Sequence, residues 1–158
     1  MALPFGGVNA VQNPRNIAYG LTISRYLIAL MYFEKLALQV NATSAGWEVM
    51  EPPRCVGTSG VGHKFTLLAS DSGQKYGFDL YPDVGEVEVL RTFIKEMDAG
   101  VSGVLVCMRG RPSEKAGKLA VELGVTILNP GEIGEFFRSA KKKTLMIERR
   151  EEDPFHLR

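Results

Sequence analysis

The last third of the chain alternates strand and helix patterns, and this order restricts the fold more than any other feature. Residues 104–108 form a continuous apolar run that predicts a buried strand, and residues 125–128 predict a second one. Between them, residues 112–123 have the apolar spacing of an amphipathic helix that stops at Gly124. Because strands joined by a helix pair in parallel with a right-handed crossover, this region predicts a parallel sheet covered by helices.

The rest of the chain extends this pattern. Residues 17–41 predict a long, mostly buried helix with Tyr26, Phe33 and Val40 on one face, and residues 47–50, 64–69 and 75–81 predict strands. Residues 70–74 have hairpin-turn chemistry, residues 84–97 have helical spacing, and Asn129-Pro130-Gly131-Glu132 is a capped start for a helix to about residue 140. The order αβββαβα predicts an α/β fold with three α/β/α layers around a mixed sheet.

Composition narrows the class of protein. The 158 residues predict one domain over residues 15–140, between a loose arm (1–14) and a charged tail (141–158) that contains an apolar segment at 144–147. A net charge of +1 excludes a global basic field that would bind nucleic acid, so such a site must be a local patch. Cys55 and Cys107 have no metal-site spacing and predict reduced thiols. Without a signal peptide pattern or a spanning apolar run, we expect a cytoplasmic protein with no membrane contact.

Several short motifs in residues 28–137 resemble the restriction-endonuclease-like, or PD-(D/E)xK, nuclease superfamily, and in particular its archaeal and Mrr-like members. The matching features are a helix that carries Glu34, a Gly46-Trp47 strand start, the segment from Ser59 to Thr66, and the strand Tyr76-Gly77-Phe78-Asp79-Leu80-Tyr81. The resemblance implies the three-layer nuclease fold. It also implies phosphodiester hydrolysis by a divalent cation, such as Mg²⁺, that carboxylates hold on neighbouring strands.

Two departures from the family motif put that chemistry in doubt. Thr66 stands where the family has a metal-binding aspartate, and Tyr81 stands where it has a lysine. Asp79 and Glu34 are the candidate metal ligands that remain, so the resemblance implies a vestigial site of Glu34, Thr66, Asp79 and Tyr81. A structural interpretation of Glu34, as the polar edge of a helix, stands beside the metal-ligand one.

An alternative register keeps an active enzyme possible. If residues 81–85 form a hairpin turn and residues 86–89 form a further strand, Asp79 and Glu88 become the two motif acids, and Arg91 and Lys95 are the nearest substitutes for the missing lysine. An active enzyme would use a migrated base such as Lys64 or Lys95. No cofactor is expected unless the enzyme is active, in which case the expected cofactor is Mg²⁺.

Basic side chains give candidate contacts with nucleic acid. His63 and Lys64 follow a glycine-rich loop that lacks the ending of a nucleotide-binding P-loop, so no nucleotide cofactor is expected. Arg109 and Arg111 follow a parallel strand at its carboxyl end, where open α/β sheets place ligands.

Three functions are compatible with this sequence. The first is a catalytically degenerate nuclease-fold protein that binds nucleic acid, DNA or RNA, through a local patch, or binds another protein. The second is an active Mg²⁺-dependent DNA endonuclease that uses Asp79 with Glu34 or Glu88. The third is a structural subunit that forms homo-oligomers, such as a homodimer, and has no role with nucleic acid.

Overall fold

A computed structural model describes the backbone of residues 14–139 and the side chains from Arg25 onward. The predicted arm and the charged tail with its 144–147 segment therefore lie outside the described residues, apart from Pro14. The chain divides into two compact units, Met1–Glu34 and Lys35–Arg158, and the boundary falls within the first helix. The sheet and both candidate sites described below belong to the second unit.

The elements follow one another in an order close to the predicted one. The helices are α1 (Pro14–Ser44), α2 (Glu86–Ala99), α3 (Glu114–Leu123) and α4, a 3₁₀ turn at Pro130–Glu132 that continues as helix over 133–139. The strands are β1 (Glu48–Met50), β2 (Arg54–Val56), β3 (Gly62–Lys64), β4 (Leu67–Asp71), β5 (Gln74–Tyr81), β6 (Ser102–Cys107) and β7 (Thr126–Leu128).

A mixed five-stranded sheet lies at the centre, in the order β1-β4-β5-β6-β7. Strand β4 is antiparallel to both of its neighbours, whereas β5, β6 and β7 are parallel to one another. The β4–β5 turn uses Ser72 and Gly73, both at positive φ, which is the backbone that a tight hairpin needs. The predicted α/β class, the mixed sheet and this turn are confirmed.

Side chains of β5 and β6 alternate between two apolar clusters, one on each face of the sheet. On one face, Phe78 and Val104 pack with Leu38 of α1 and Phe137 of α4. On the other face, Leu105 packs with Val89 of α2 and with Ala116 and Ala120 of α3. Helices therefore cover both faces, α1 (from residue 35) and α4 on one and α2 and α3 on the other.

Helix α2 begins and ends at glycines. Gly85 is its N-cap, and the Glu88 carboxylate accepts a hydrogen bond of 2.7 Å from the Gly85 N–H. Gly100 ends the helix in the left-handed conformation that favours glycine. The alternative in which residues 86–89 form a strand is therefore wrong, because these cap residues and the periodic apolar positions start a helix instead.

Two other predictions differ from the structure. The predicted strand 64–69 is split, because Gly62–Lys64 pairs with Arg54–Val56 in a separate two-stranded sheet, the β2–β3 hairpin. In α1, Tyr26 and Val40 are exposed, and Leu38 and Ala42 are buried instead. Apolar spacing predicts which side chains share a helix face, but the elements packed against the helix decide which face is covered.

Candidate functional site

Among the residues that the structure describes, Asp79 is the one charged residue that is buried, with 7% of its surface exposed. It lies on β5, on the face covered by α2 and α3. Its Oδ1 atom accepts a hydrogen bond of 3.1 Å from the Thr66 N–H, and its Oδ2 atom lies 2.8 Å from Lys95 Nζ. Both carboxylate oxygens therefore have a partner from the protein itself.

Lys95 reaches Asp79 from α2. Its ammonium group also donates to the carbonyl of Lys64, at 2.5 Å, and lies 4.8 Å from the centre of the Phe65 ring. The Lys95 side chain is only 14% exposed. An ammonium group that is removed from water needs such partners, so Asp79, the Lys64 carbonyl and the aromatic face together hold its charge.

The two positions that depart from the nuclease motif adjoin Asp79, one through the Thr66 N–H that binds its carboxylate and the other two residues further along β5. Thr66 precedes β4, and its hydroxyl accepts a 3.3 Å hydrogen bond from the Leu80 N–H. Tyr81 lies on the same face of β5 as Asp79, as the period of two predicts, and packs against the apolar cluster beneath α2 and α3. Thr66 thus has a structural hydrogen bond, and Tyr81 is part of the core.

These residues do not fit a magnesium ion. Mg²⁺ binds through hard oxygens, usually of one or two carboxylates together with substrate and water, and Asp79 is the one carboxylate that meets Thr66 and Lys95. The Lys95 ammonium group is bound to Asp79 Oδ2, which a cation would need as a ligand. Among the described residues, no group of three or more His, Cys, Asp or Glu side chains could hold a metal ion.

The other two candidate acids have separate positions. Glu88 caps the first turn of α2 through the Gly85 N–H. Glu34 is half-buried and belongs to the first compact unit. Of the candidate bases, the Lys64 side chain is exposed, and the Lys64 backbone carbonyl is the group that contacts Lys95.

A second cluster surrounds Asp98, one turn after Lys95 at the C-terminal end of α2. Asp98 Oδ2 accepts from Ser59 Oγ at 2.6 Å and lies 2.6 Å from His63 Nε2. Asp98 Oδ1 accepts from the Ser59 N–H at 2.9 Å and from Thr58 Oγ1 at 3.1 Å. Because an ionised carboxylate can only accept, His63 Nε2 carries the hydrogen in this contact.

The Asp98 cluster has the residue types of a serine hydrolase but not the geometry. In such enzymes histidine lies between serine and aspartate and takes the proton of the serine hydroxyl. Here Ser59 and His63 both contact the carboxylate of Asp98. The side-chain hydrogen bonds from Ser59 and His63, with further ones from the Ser59 backbone and Thr58, hold the pKa of Asp98 well below its usual range. This cluster therefore anchors the β2–β3 hairpin to α2 and keeps Asp98 anionic.

The four basic candidates do not form one patch of free cations. His63 is bound to Asp98, and Arg109 lies 3.8 Å from Asp83 in an exposed ion pair. Arg111 lies in the segment after β6 and lines a cavity there. Both predicted thiols, Cys55 and Cys107, are free, and Cys107 is buried.

Comparison with known proteins adds information about the fold alone. No family model matches the chain, and no curated protein matches it. A crystal structure of a protein of unknown function, designated AF1548, is similar with a TM-score of 0.51 and 17% sequence identity. The similarity covers 63% of this chain and 58% of the other chain, so this chain matches a little over half of that protein's length. Within residues 14–139, no helix is both long and apolar enough to cross a membrane.

The sequence indicates Asp79 as a site residue but gives no such indication for Asp98. It predicts Lys95 only as a substitute base, and Ser59 only as part of a family motif. A signal was present, because Lys95 and Asp98 are three residues apart and so share one face of α2. Their partners in the β2–β3 hairpin were not predictable, since that hairpin itself was not.

Proposed function

We propose that this chain is a catalytically degenerate member of the restriction-endonuclease-like fold that acts as a protein-interaction module. The topology supports the fold: without the β2–β3 hairpin, the elements from α1 to α3 follow the order αβββαβα around a mixed sheet. Asp79 then lies on the third strand of the sheet, where the motif resemblance expects an acidic residue.

The observation that carries the loss of catalysis is that, among the described residues, Asp79 meets Lys95 and Thr66 but no second carboxylate. A nuclease of this fold needs its carboxylates to bind a cation, which then activates water. In this chain the carboxylate is neutralised by an ammonium group 2.8 Å away, and Thr66 supplies no second carboxylate. A metal ion would have to separate Asp79 from Lys95, and breaking such a largely buried ion pair costs several kcal/mol.

The alternative of an active endonuclease keeps one point in its favour. It requires a migrated lysine near Asp79, and Lys95 occupies such a position. It also requires a second acid, but the Glu88 carboxylate is bound to the Gly85 N–H as the capping group of α2. Asp79 and Lys95 therefore supply one of the two acids and the lysine that the active enzyme needs, and among the described residues the second acid is missing.

A protein partner is supported by the outer face of α2. Val87, Leu90, Ile94 and Met97 lie along this face and are between 45% and 70% exposed, and Val61 of the β2–β3 hairpin, at 55%, is exposed as well. Single exposed apolar side chains are ordinary, but a row at helical spacing is typical of an interaction surface. We call these five residues the α2 stripe.

The spacing of the α2 stripe favours a second copy of this chain as the partner. The intervals 3, 4 and 3 are the same in both directions, so an antiparallel pair places Val87 against Met97 and Leu90 against Ile94. Each side chain exposes on the order of 100 Å² of apolar area. Two copies would therefore bury about 1,000 Å², which is the lower limit for a specific interface.

A cleavage assay tests the loss of catalysis. Single-stranded, duplex and branched DNA are incubated with the full chain in Mg²⁺ and in Mn²⁺, and we expect no products above a buffer control. Metal-dependent cleavage that Asp79→Ala abolishes would overturn the proposal in favour of the active endonuclease.

Sedimentation over a range of concentrations tests the partner. We expect a reversible dimer, conversion to monomer by Ile94→Glu, and no change with Val121→Glu, because Val121 is 84% exposed but lies on α3, outside the α2 stripe. A monomer at all concentrations, or a dimer that Ile94→Glu leaves intact, would contradict self-association through this face. Binding of DNA or RNA with a steep salt dependence would instead support the nucleic-acid function.

A further inference from the structure

Strands β6 and β7 are parallel neighbours whose following segments turn to opposite faces of the sheet. After β6 the chain leads into α3, and Ala120 of α3 packs on the face that carries Leu105. After β7 it leads into α4, and Phe137 packs on the opposite face. Where the connections of adjacent parallel strands diverge in this way, a crevice forms at their carboxyl ends, and open α/β proteins bind ligands there.

A cavity of about 330 Å³ occupies this crevice. Its walls are mainly apolar and come from Ala120, Val125, Ile127 and Leu128. The polar side chains that line it are those of Arg111, Asn129 and Glu132. A small apolar cavity with a few polar groups has the character of a site for a small molecule, and this volume is at the lower end of such sites.

Arg111 is the cationic group in this lining. The Glu132 carboxylate and the Asn129 side-chain oxygen each accept a hydrogen bond from the backbone N–H of the other residue, which holds both side chains at the start of α4. Among the residues whose side chains the structure describes, from Arg25 to Ser139, the guanidinium of Arg111 has no hydrogen-bond or ion-pair partner, in contrast to Arg109, which pairs with Asp83. A guanidinium group binds carboxylates and phosphates through two parallel hydrogen bonds.

Gly117 provides a second, independent indication. It lies inside α3, where glycine is less favourable than alanine by about 1 kcal/mol. A Cβ atom at this position would meet no atom of the described residues within 4 Å, so packing does not require glycine here. Since Gly117 lines the cavity, the missing side chain leaves space that a ligand can use.

We infer that this crevice binds a small organic anion. The carboxylate or phosphate of the ligand pairs with Arg111, and its apolar part packs against Ala120, Val125 and Ile127. The site is separate from Asp79 and does not depend on the function proposed above.

NMR titration of the ¹⁵N-labelled full chain tests this inference with benzoate, phenyl phosphate and the neutral analogue benzyl alcohol as probes. We expect the two anions to shift the amide signals of Gly110, Arg111 and Gly117. Benzyl alcohol should bind about ten-fold more weakly, because a neutral hydroxyl forms a weaker hydrogen bond with a guanidinium group. The order of affinity of the two anions distinguishes a carboxylate site from a phosphate site.

Two variants separate ligand binding from stability. Arg111→Gln should weaken both anions about ten-fold, whereas Arg109→Gln, the matched control, should leave them unchanged. Gly117→Ala should raise the melting temperature but weaken binding, because its methyl group enters the cavity. The inference is overturned if the anions at millimolar concentration shift no amide signals at the crevice, or if Arg111→Gln binds them as the wild type does.

Discussion

Two carboxylates connect α2 to the rest of the second unit, and they do so in different ways. Asp79, on β5, is neutralised by the Lys95 ammonium group and is largely buried. Asp98, on α2, is held by two hydroxyls, a backbone N–H and a histidine ring. Asp79 is therefore paired with a cation, whereas Asp98 keeps a negative charge held by hydrogen bonds and contributes a dependence on pH.

The two sites also hold the same hairpin. Lys95 binds the carbonyl of Lys64 at the end of β3, and Asp98 binds Ser59 in the connection between β2 and β3. Because Lys95 and Asp98 lie one turn apart on α2, a single helix face fixes both ends of β3. Lys95 and Asp98 thus position the β2–β3 hairpin against α2.

The largest effect is expected from breaking the buried ion pair. Asp79→Ala leaves the ammonium group of Lys95 without its counter-charge, and we expect a loss of about 3–5 kcal/mol in the free energy of unfolding, measured by urea denaturation. The matched control is Asp79→Leu combined with Lys95→Met, which removes both charges and should cost less than about 1 kcal/mol. If Asp79→Ala cost no more than this double variant, an uncompensated Lys95 charge would not be the cause of the loss of stability.

An intermediate effect is expected at Gly77 of β5, which packs closely against the Phe65 ring beside the Asp79–Lys95 pair. A Cβ atom at Gly77 would lie 2.4 Å from the Phe65 ring, over which Lys95 lies. Gly77→Ala should displace this ring and cost about 1–3 kcal/mol in the free energy of unfolding. Gly73→Ser, in the β4–β5 turn, is the comparison, since its cost comes from positive φ and not from a clash. A smaller cost at Gly77 than at Gly73 would contradict the close packing.

A smaller effect, visible mainly in acid, is expected at Asp98. Its pKa is lowered in the folded protein, so the stabilisation is complete above the unfolded value of about 3.9 and is lost as pH falls through the folded value. Urea midpoints between about pH 5 and pH 3 should fall less steeply in Asp98→Ala than in the wild type.

Two further variants act as controls for that measurement. Gly57→Ala should resemble Asp98→Ala, because its Cβ atom would lie 2.0 Å from Asp98 Oδ2 and displace the carboxylate. Asp83→Ala removes a largely exposed carboxylate and should keep the wild-type slope. If the urea midpoints fell equally steeply with pH in all of these proteins, the lowered pKa of Asp98 would not depend on its contacts with the hairpin.

The smallest effect is expected at the exposed pair of Arg109 and Asp83. Its atoms are 3.8 Å apart and both side chains are more than half exposed, so water screens the attraction. Arg109→Gln should change the free energy of unfolding by at most about 0.5 kcal/mol. A change as large as that of Gly77→Ala would mean that exposed charges matter here as much as buried ones.

Local signals in the sequence predicted a large part of the fold. The start of α4 at Asn129 and the end of α3 at Gly124 are both capping signals, and the structure confirms them. The β4–β5 turn and the parallel pairing of β6 with β7 are confirmed as well. Each of these features depends on residues that are close together in the chain, so the sequence pattern is sufficient to predict it.

The candidate site was less predictable, because its parts are distant in the chain. The motif resemblance indicated Asp79 and Thr66, but the partner of Asp79 is sixteen residues further on, in another element. The Asp98 cluster joins residues 35–40 positions apart. No spacing rule relates such residues, since their distance depends on how the hairpin packs against α2.

The sequence by itself determined the α/β class, the parallel strands of the last third, and the presence of threonine and tyrosine at positions 66 and 81, where the motif resemblance expects an acid and a lysine. Tertiary structure decided that Lys95 takes the charge of Asp79, that Asp98 holds the hairpin, and that Arg111 faces a cavity. The physical reason is that strand and helix patterns are set by neighbours in the chain. Ion pairs, clusters and cavities form instead between elements, where packing decides which side chains meet.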